Sequence, residues 1–167
     1  MKSMLGPVIY ACARRSWLCL DNLKNGKHFE AATRVALAES NGKPPRVIGI
    51  GDQQSPAKAG EQISFDDAFD HPRVWVSSPE LAAHTLALCI RQVLSHKWVL
   101  KPVILFHPLF TPDDGWSDLE LQSIAELWVN AGARRVMVSV EPGPYPLEAV
   151  LEKIGSFREY AGFRPHK

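Results

Sequence analysis

Cysteine is scarce in this sequence. Its three residues, Cys12, Cys19 and Cys89, are too few for a disulfide framework and show no metal-ligand spacing. An excess of one charge is missing too. The 19 basic residues stand against 18 acidic ones, which argues against a nucleic-acid surface and against an acidic disordered chain. Long apolar runs are also lacking. The stretch near 81–94 is interrupted by His84 and Arg91, and the start, MKSMLGPVIYACARR, has a short apolar run with Pro7 inside it. Neither a membrane span nor a targeting segment is expected. No internal repeat or low-complexity tract appears. These absences describe a reduced, cytoplasmic protein.

What the sequence does hold is enough apolar material for a core, 46% of 167 residues. One domain is expected over residues 1–167, with 51–72 as a polar excursion and 156–167 as a tail without pattern. VIYACARRSWLCLDN (8–22) reads as a β-hairpin whose polar tip is Arg14, Arg15 and Ser16. With the turn centred on Arg15-Ser16, Cys12 and Cys19 face each other, as small buried thiols rather than a disulfide. Asn25-Gly26 signals a hairpin turn. In FEAATRVALAE (29–39) the alanines favour helix and the place after Asn25-Gly26 favours strand, and strand is the preferred reading; NGKPP reads as a turn and RVIGIG as a short strand.

The period then changes. SSPELAAHTLALCIRQVLSHKW (77–98) reads as a helix opened by a Ser77–Glu80 capping box, with Pro79 in its first turn. Its buried stripe is Ala82, Leu86, Cys89, Ile90, Val93 and Lys97, widened by Leu81 and Leu88. KPVILFHP is a continuous apolar run, suited to a strand covered on both faces. A second helix follows, with a Ser117–Glu120 capping box, an inner stripe of Leu121, Ile124, Ala125 and Trp128, and Gly132 at its end. ARRVMVSVEP reads as a buried strand and PLEAVLEKIG as a short last helix. An antiparallel meander followed by two strand–helix–strand units predicts an α/β fold with one mixed sheet.

That order resembles the first half of a ribonuclease-H-like domain, which actin, the Hsp70 ATPase domain and the bacterial actin MreB contain twice. The local sequence is most similar to the MreB family. AELWVNAGARRVMVSVEPGP resembles its helix, alanine-glycine-alanine turn and strand closed by an acidic-proline pair, here Ala131, Gly132, Ala133, Arg134, Val136, Val138, Glu141 and Pro142. KPVILFHPLFT is similar to the preceding strand, with Pro108 and Thr111 at the matching places. HPRVWV and the helix after it fit the family's first long helix and its approach, and PRVIGIGDQQSPAKAG fits a strand leading into its small outer subdomain. The likeness spans most of residues 8–155.

The resemblance implies a phosphate- and magnesium-gripping turn at the first hairpin, with an acid, a glycine and a threonine. Those places fall near Ala11, Ala13 and Arg14, so the acid and the glycine are missing. The tip Arg14-Arg15-Ser16 reads as a degenerate phosphate loop; a solvated hairpin turn is the plainer alternative. Glu141 stands where the family positions its attacking water, as a relic catalytic base or a plain strand end. The second phosphate loop and the adenine pocket belong to the second half of the family fold, which these residues do not include. No cofactor and no metal are expected. His107, Asp113 and Asp114 follow a parallel strand, where α/β folds bind ligands, and form a lesser candidate for metal or acid–base chemistry. Trp98 and Trp116 stand at element ends and suit an interface, whereas Trp75 and Trp128 are further large apolar groups.

The function expected from this is non-enzymatic: an MreB-like protein, a pseudo-ATPase in design, acting through protein–protein interaction. Its partner would be a second copy, as a homodimer, or an actin-like cytoskeletal filament involved in cell shape. The alternative is a hydrolase or phosphotransferase using Glu141, Asp113 and Arg14 around a bound phosphate.

Overall fold

The structure, a computed structural model, describes residues 6–95 and 100–162. Strand β1 (Val8–Arg14) pairs antiparallel with β2 (Trp17–Asn22), opposing Cys12 to Cys19 and Arg14 to Trp17. The turn is therefore Arg15-Ser16, and both cysteines are free thiols. Strand β3 (His28–Ala32) returns beside β2. Only Gly26 in the connecting loop needs positive φ, at 71°.

The stretch 29–39 is strand, but two strands in two sheets. It breaks after β3, and β4 (Val35–Glu39) begins a second sheet with β5 (Arg46–Ile50), β6 (Gln53–Gln54) and β7 (Gln62–Asp66), in the order β6-β5-β4-β7. The expected single sheet is thus corrected to two. The polar excursion 51–72 hid β7. The residues of β7 alternate polar and apolar, but as an edge strand it leaves Ile63 and Phe65 exposed, and its register with β4, Val35 opposite Asp66 to Glu39 opposite Gln62, rests on backbone pairing.

Helix α1 (Pro79–Val93) follows. Its cap is Ser78, whose hydroxyl accepts from the Leu81 N–H at 3.5 Å, so the expected Ser77–Glu80 box does not form. Proline at the first helical position pushes the residue before it into extended backbone, and that residue becomes the cap. Ser77 instead donates to the Asp67 carbonyl. Ala82, Leu86, Cys89, Ile90 and Val93 are buried as expected. Lys97 and Trp98 lie outside the described residues.

Strand β8 (Val103–Pro108) runs parallel to β1 and is buried at every position. Helix α2 (Asp118–Asn130) carries the full Ser117–Glu120 capping box and buries Leu121, Ile124, Ala125 and Trp128. Gly132, at φ 117°, follows its last turn. Strand β9 (Arg135–Val138) is parallel to β8. The expected last helix is two 3-10 turns, Leu147–Ala149 and Ile154–Ser156. The supposed tail contains β10 (Arg158–Gly162), antiparallel to β9. This segment spends Val150 and Phe157 on the sheet instead of on a helical stripe.

The large sheet is mixed, six-stranded and ordered β10-β9-β8-β1-β2-β3. Both helices share one of its faces, where Ile9, Leu18, Leu20, Ile104 and Phe106 meet Leu86, Ile90, Ile124 and Trp128. The opposite face, with Val8, Tyr10, Cys12, Val103, Leu105 and Met137, is covered by Tyr145, Val150 and Phe157. No helix among the described residues is long and apolar enough to cross a membrane.

Candidate functional site

The carboxyl ends of β1, β8 and β9 meet at one end of the sheet, the place where α/β folds bind ligands. The Leu109 N–H donates to the Ala13 carbonyl and the Ser139 N–H to the Phe106 carbonyl. The hairpin tip, the 109–116 loop and the loop after β9 therefore leave the sheet side by side.

At the tip, Ala11 and Ala13 are fully buried and face the helices. The guanidinium of Arg15 donates to the carbonyls of His71 and Pro72 and lies over the Phe110 ring, 5.2 Å from its centre. Arg14 lies over Trp17 at 5.3 Å. The carbonyl of Ser16 accepts from the Thr33 N–H, and that of Arg15 from Trp75 Nε1 at 3.0 Å. Trp75 is fully buried at φ 64° and stacks on Phe106. The tip thus straps segment 71–75 onto the sheet. Both arginines cover aromatic faces of this chain.

Glu141 lies at the same end of the sheet, and no hydrogen bond or ion pair joins it to Arg14 or Arg15. Its carboxylate accepts from the Tyr145 hydroxyl at 2.8 Å. Its carbonyl faces His107 Nε2 at 2.7 Å. A carbonyl can only accept, so Nε2 carries the proton, and Nδ1 accepts from the Tyr10 hydroxyl at 2.7 Å. The Tyr10 oxygen in turn accepts from the Tyr145 N–H at 3.0 Å. The Tyr145 hydroxyl also meets Ser156 Oγ at 2.9 Å and Ser139 Oγ at 3.3 Å. Burial holds His107 neutral and its pKa below the usual value, against the upward pull of the Glu141 carbonyl. Burial likewise drives the Tyr10 hydroxyl well above its ordinary range. Gly143 rests on the imidazole, where a Cβ would stand 2.8 Å from Nε2.

His107 is therefore not joined to Asp113 and Asp114. Both of its ring nitrogens are engaged on the far face of the sheet, and Asp114 pairs with Arg73 at 2.7 Å among exposed groups. Trp116 is half-buried and donates to the Phe110 carbonyl. Sequence reasoning passed over Tyr10, Tyr145, Ser139, Ser156 and Gly143. No spacing signals them, because the network joins residues from the start and the end of the chain.

A second cluster lies on the same sheet face, toward its β3 edge. Cys19 Sγ, an Asp21 carboxylate oxygen and His28 Nδ1 all lie within 4.8 Å of one another. His28 Nδ1 is 2.7 Å from Asp21 Oδ1, and Cys19 Sγ is 3.5 Å from Asp21 Oδ2 and 3.9 Å from His28 Nδ1. Burial, then the nearby Asp21 carboxylate, pushes the Cys19 thiol up to about 12; burial pushes Cys12 to about 11. The hairpin register was the available signal for this cluster, since it sets positions 19 and 21 on one face.

The chain matches no family model and no curated protein. A functional reading therefore rests on this geometry.

Proposed function

We propose that the protein is an MreB-like, actin-related module that works by binding protein rather than by turning over nucleotide. It associates with a second copy of itself or with an actin-like cytoskeletal filament. One observation carries this reading: the hairpin tip is committed to its own fold. Where a phosphate-gripping turn needs an acid for magnesium and a glycine for close approach, the chain has buried Ala11 and Ala13 and an Arg15 bound to the carbonyls of His71 and Pro72.

The strand order supports the ribonuclease-H-like part of the proposal. An antiparallel meander β1-β2-β3 continues on its other side into parallel β8 and β9, with α2 crossing between them. Glu141 supports it in a negative sense, since its carboxylate accepts a hydrogen bond from the Tyr145 hydroxyl of its own loop. An apolar groove of about 450 Å³ between the start of α1 and the outside of α2, lined by Val74, Val76, Pro79, Leu119 and Leu127, suits a protein partner. Leu119, 76% exposed, is its most open apolar side chain.

A calorimetric titration with Mg-ATP and with Mg-ADP comes first. No heat is expected at high nucleotide concentration, and micromolar binding would overturn the proposal. Sedimentation over a wide concentration range, alone and with MreB-family filaments, tests the partner. Self-association or co-sedimentation weakened by Leu119→Asp is expected. A strictly monomeric protein that stays out of the filament pellet would sink the reading.

A further inference from the structure

Cys19 and Asp21 occupy alternate positions of β2 and so project from the same face, away from the helices. His28 is the register partner of Asp21 on β3, and Glu30 is the partner of Cys19. The pairing of β2 with β1 on one side and β3 on the other fixes these positions. A thiol, a carboxylate and an imidazole thus converge without help from any loop.

We propose that Cys19, Asp21 and His28 form a binding site for a divalent cation of the zinc class, held by one thiolate sulfur, one carboxylate oxygen and one imidazole nitrogen. The donor set selects the cation. Calcium and magnesium prefer all-oxygen shells, whereas sulfur with nitrogen suits zinc and its thiophilic neighbours.

The geometry agrees. At metal–ligand bonds of about 2.0–2.3 Å, tetrahedral donors stand roughly 3.3–3.8 Å apart. The sulfur already lies 3.5 Å from Asp21 Oδ2 and 3.9 Å from His28 Nδ1, and with a single carboxylate oxygen counted the three donor atoms lie within 4.8 Å of one another. The direct contact of His28 Nδ1 with Asp21 Oδ1 at 2.7 Å must open so that one carboxylate oxygen can face both the sulfur and the imidazole nitrogen across the ion, and the His28 side chain, half exposed, has solvent on that side. On binding, the Cys19 thiol proton leaves to solvent and the His28 proton moves to Nε2. Thiolate and carboxylate then balance the two positive charges. Solvent on the His28 side leaves a fourth position for water. Glu30, opposite Cys19, adds negative potential that draws cations to this face.

Cobalt(II) is the probe, because a cobalt–thiolate bond absorbs in the near ultraviolet. Titration of the full chain is expected to give a saturable charge-transfer band at one equivalent, bleached by zinc. Cys19→Ser removes the band. Asp21→Asn and His28→Ala each weaken binding at least about tenfold, and Cys89→Ser, buried in the helix layer, leaves it unchanged. Far-ultraviolet circular dichroism checks that Cys19→Ser is folded, and the exposed position of His28 keeps the question decidable if it is not. No band at millimolar cobalt, a band that survives Cys19→Ser, or one indifferent to His28→Ala would each overturn the site and leave only a surface ion pair.

Discussion

The hydroxyl of Tyr10 donates to Nδ1 of His107 at 2.7 Å, across 97 residues of sequence. The contact joins β1 to β8 on the sheet face that carries no helix. It also fixes the imidazole tautomer, because the other ring nitrogen must donate to the Glu141 carbonyl. Tyr10→Phe keeps the ring and leaves Nδ1 and the Tyr145 N–H without this partner. A loss of about 1–3 kcal/mol is expected, read from urea unfolding. A change within error would show the network to be ornamental.

The same histidine sets a pH dependence. Its folded pKa is depressed below the ordinary 6.5 by burial. As pH falls below that value the unfolded chain takes up a proton that the folded chain resists. The stabilising contribution is therefore complete above about pH 6.5 and is lost as pH falls through the lower folded pKa. Urea midpoints measured from about pH 7.5 down to about pH 5 should drop more steeply for the wild type than for His107→Gln. Parallel curves would contradict this assignment.

Gly143 and His107 form a second test. A Cβ at 143 would stand 2.8 Å from Nε2 of the ring, closer than real Cβ contacts allow, and 3.0 Å from Nδ1. Gly143→Ala is expected to destabilise by about 1–3 kcal/mol. Much of that cost should vanish in a His107→Ala background, where the ring is gone. A double-mutant cycle measures the coupling, and simple additivity would refute the close approach.

Trp75 and Trp128 are both fully buried, yet only one has a partner for its indole N–H. Trp75 donates to the Arg15 carbonyl at 3.0 Å, and Trp128 Nε1 has no hydrogen-bond partner among the described residues. The two Trp→Phe changes remove similar apolar bulk. Trp75→Phe should therefore cost about 1 kcal/mol more than Trp128→Phe. Equal midpoints in denaturant would remove the strap from the account of segment 71–75.

Helix starts give a last contrast. Ser117 and Glu120 satisfy each other's backbone N–H groups at α2, and the Ser117 hydroxyl and N–H hold the Glu120 carboxyl below its usual range. Ser117→Ala should cost about 1 kcal/mol. Ser77 caps nothing and should cost less when changed to Ala. Thermal unfolding of the two variants separates them, and the opposite ranking would return the cap of α1 to Ser77.

Local signals were enough for much of this fold. The apolar run of β8, the stripes of α1 and α2, and the Ser117 cap arise from neighbours in the chain, so period and capping chemistry reveal them. Where a local rule competed with another, the nearer constraint won: Pro79 moved the cap to Ser78. Edge strands stayed hidden. β7 is five residues inside a polar stretch and β10 lacks apolar alternation, and both pair with backbone that β4 and β9 offer. The second sheet followed from that pairing, and composition is blind to it.

The candidate sites divide in the same way. By itself the sequence determined that residues 8–22 form a hairpin with its tip at Arg14-Arg15-Ser16, that Cys19 and Asp21, two apart on its second strand, share a face, and that Glu141 follows a buried strand. Only the tertiary structure decided that Arg15 would bind the carbonyls of His71 and Pro72, that His107 would turn from Asp113 and Asp114 toward Tyr10, and that His28 would close on Cys19 and Asp21. A side chain's direction off a strand is fixed by the pleat and is local. The groups that meet it come from other strands and loops, and their arrival depends on how the whole sheet is ordered.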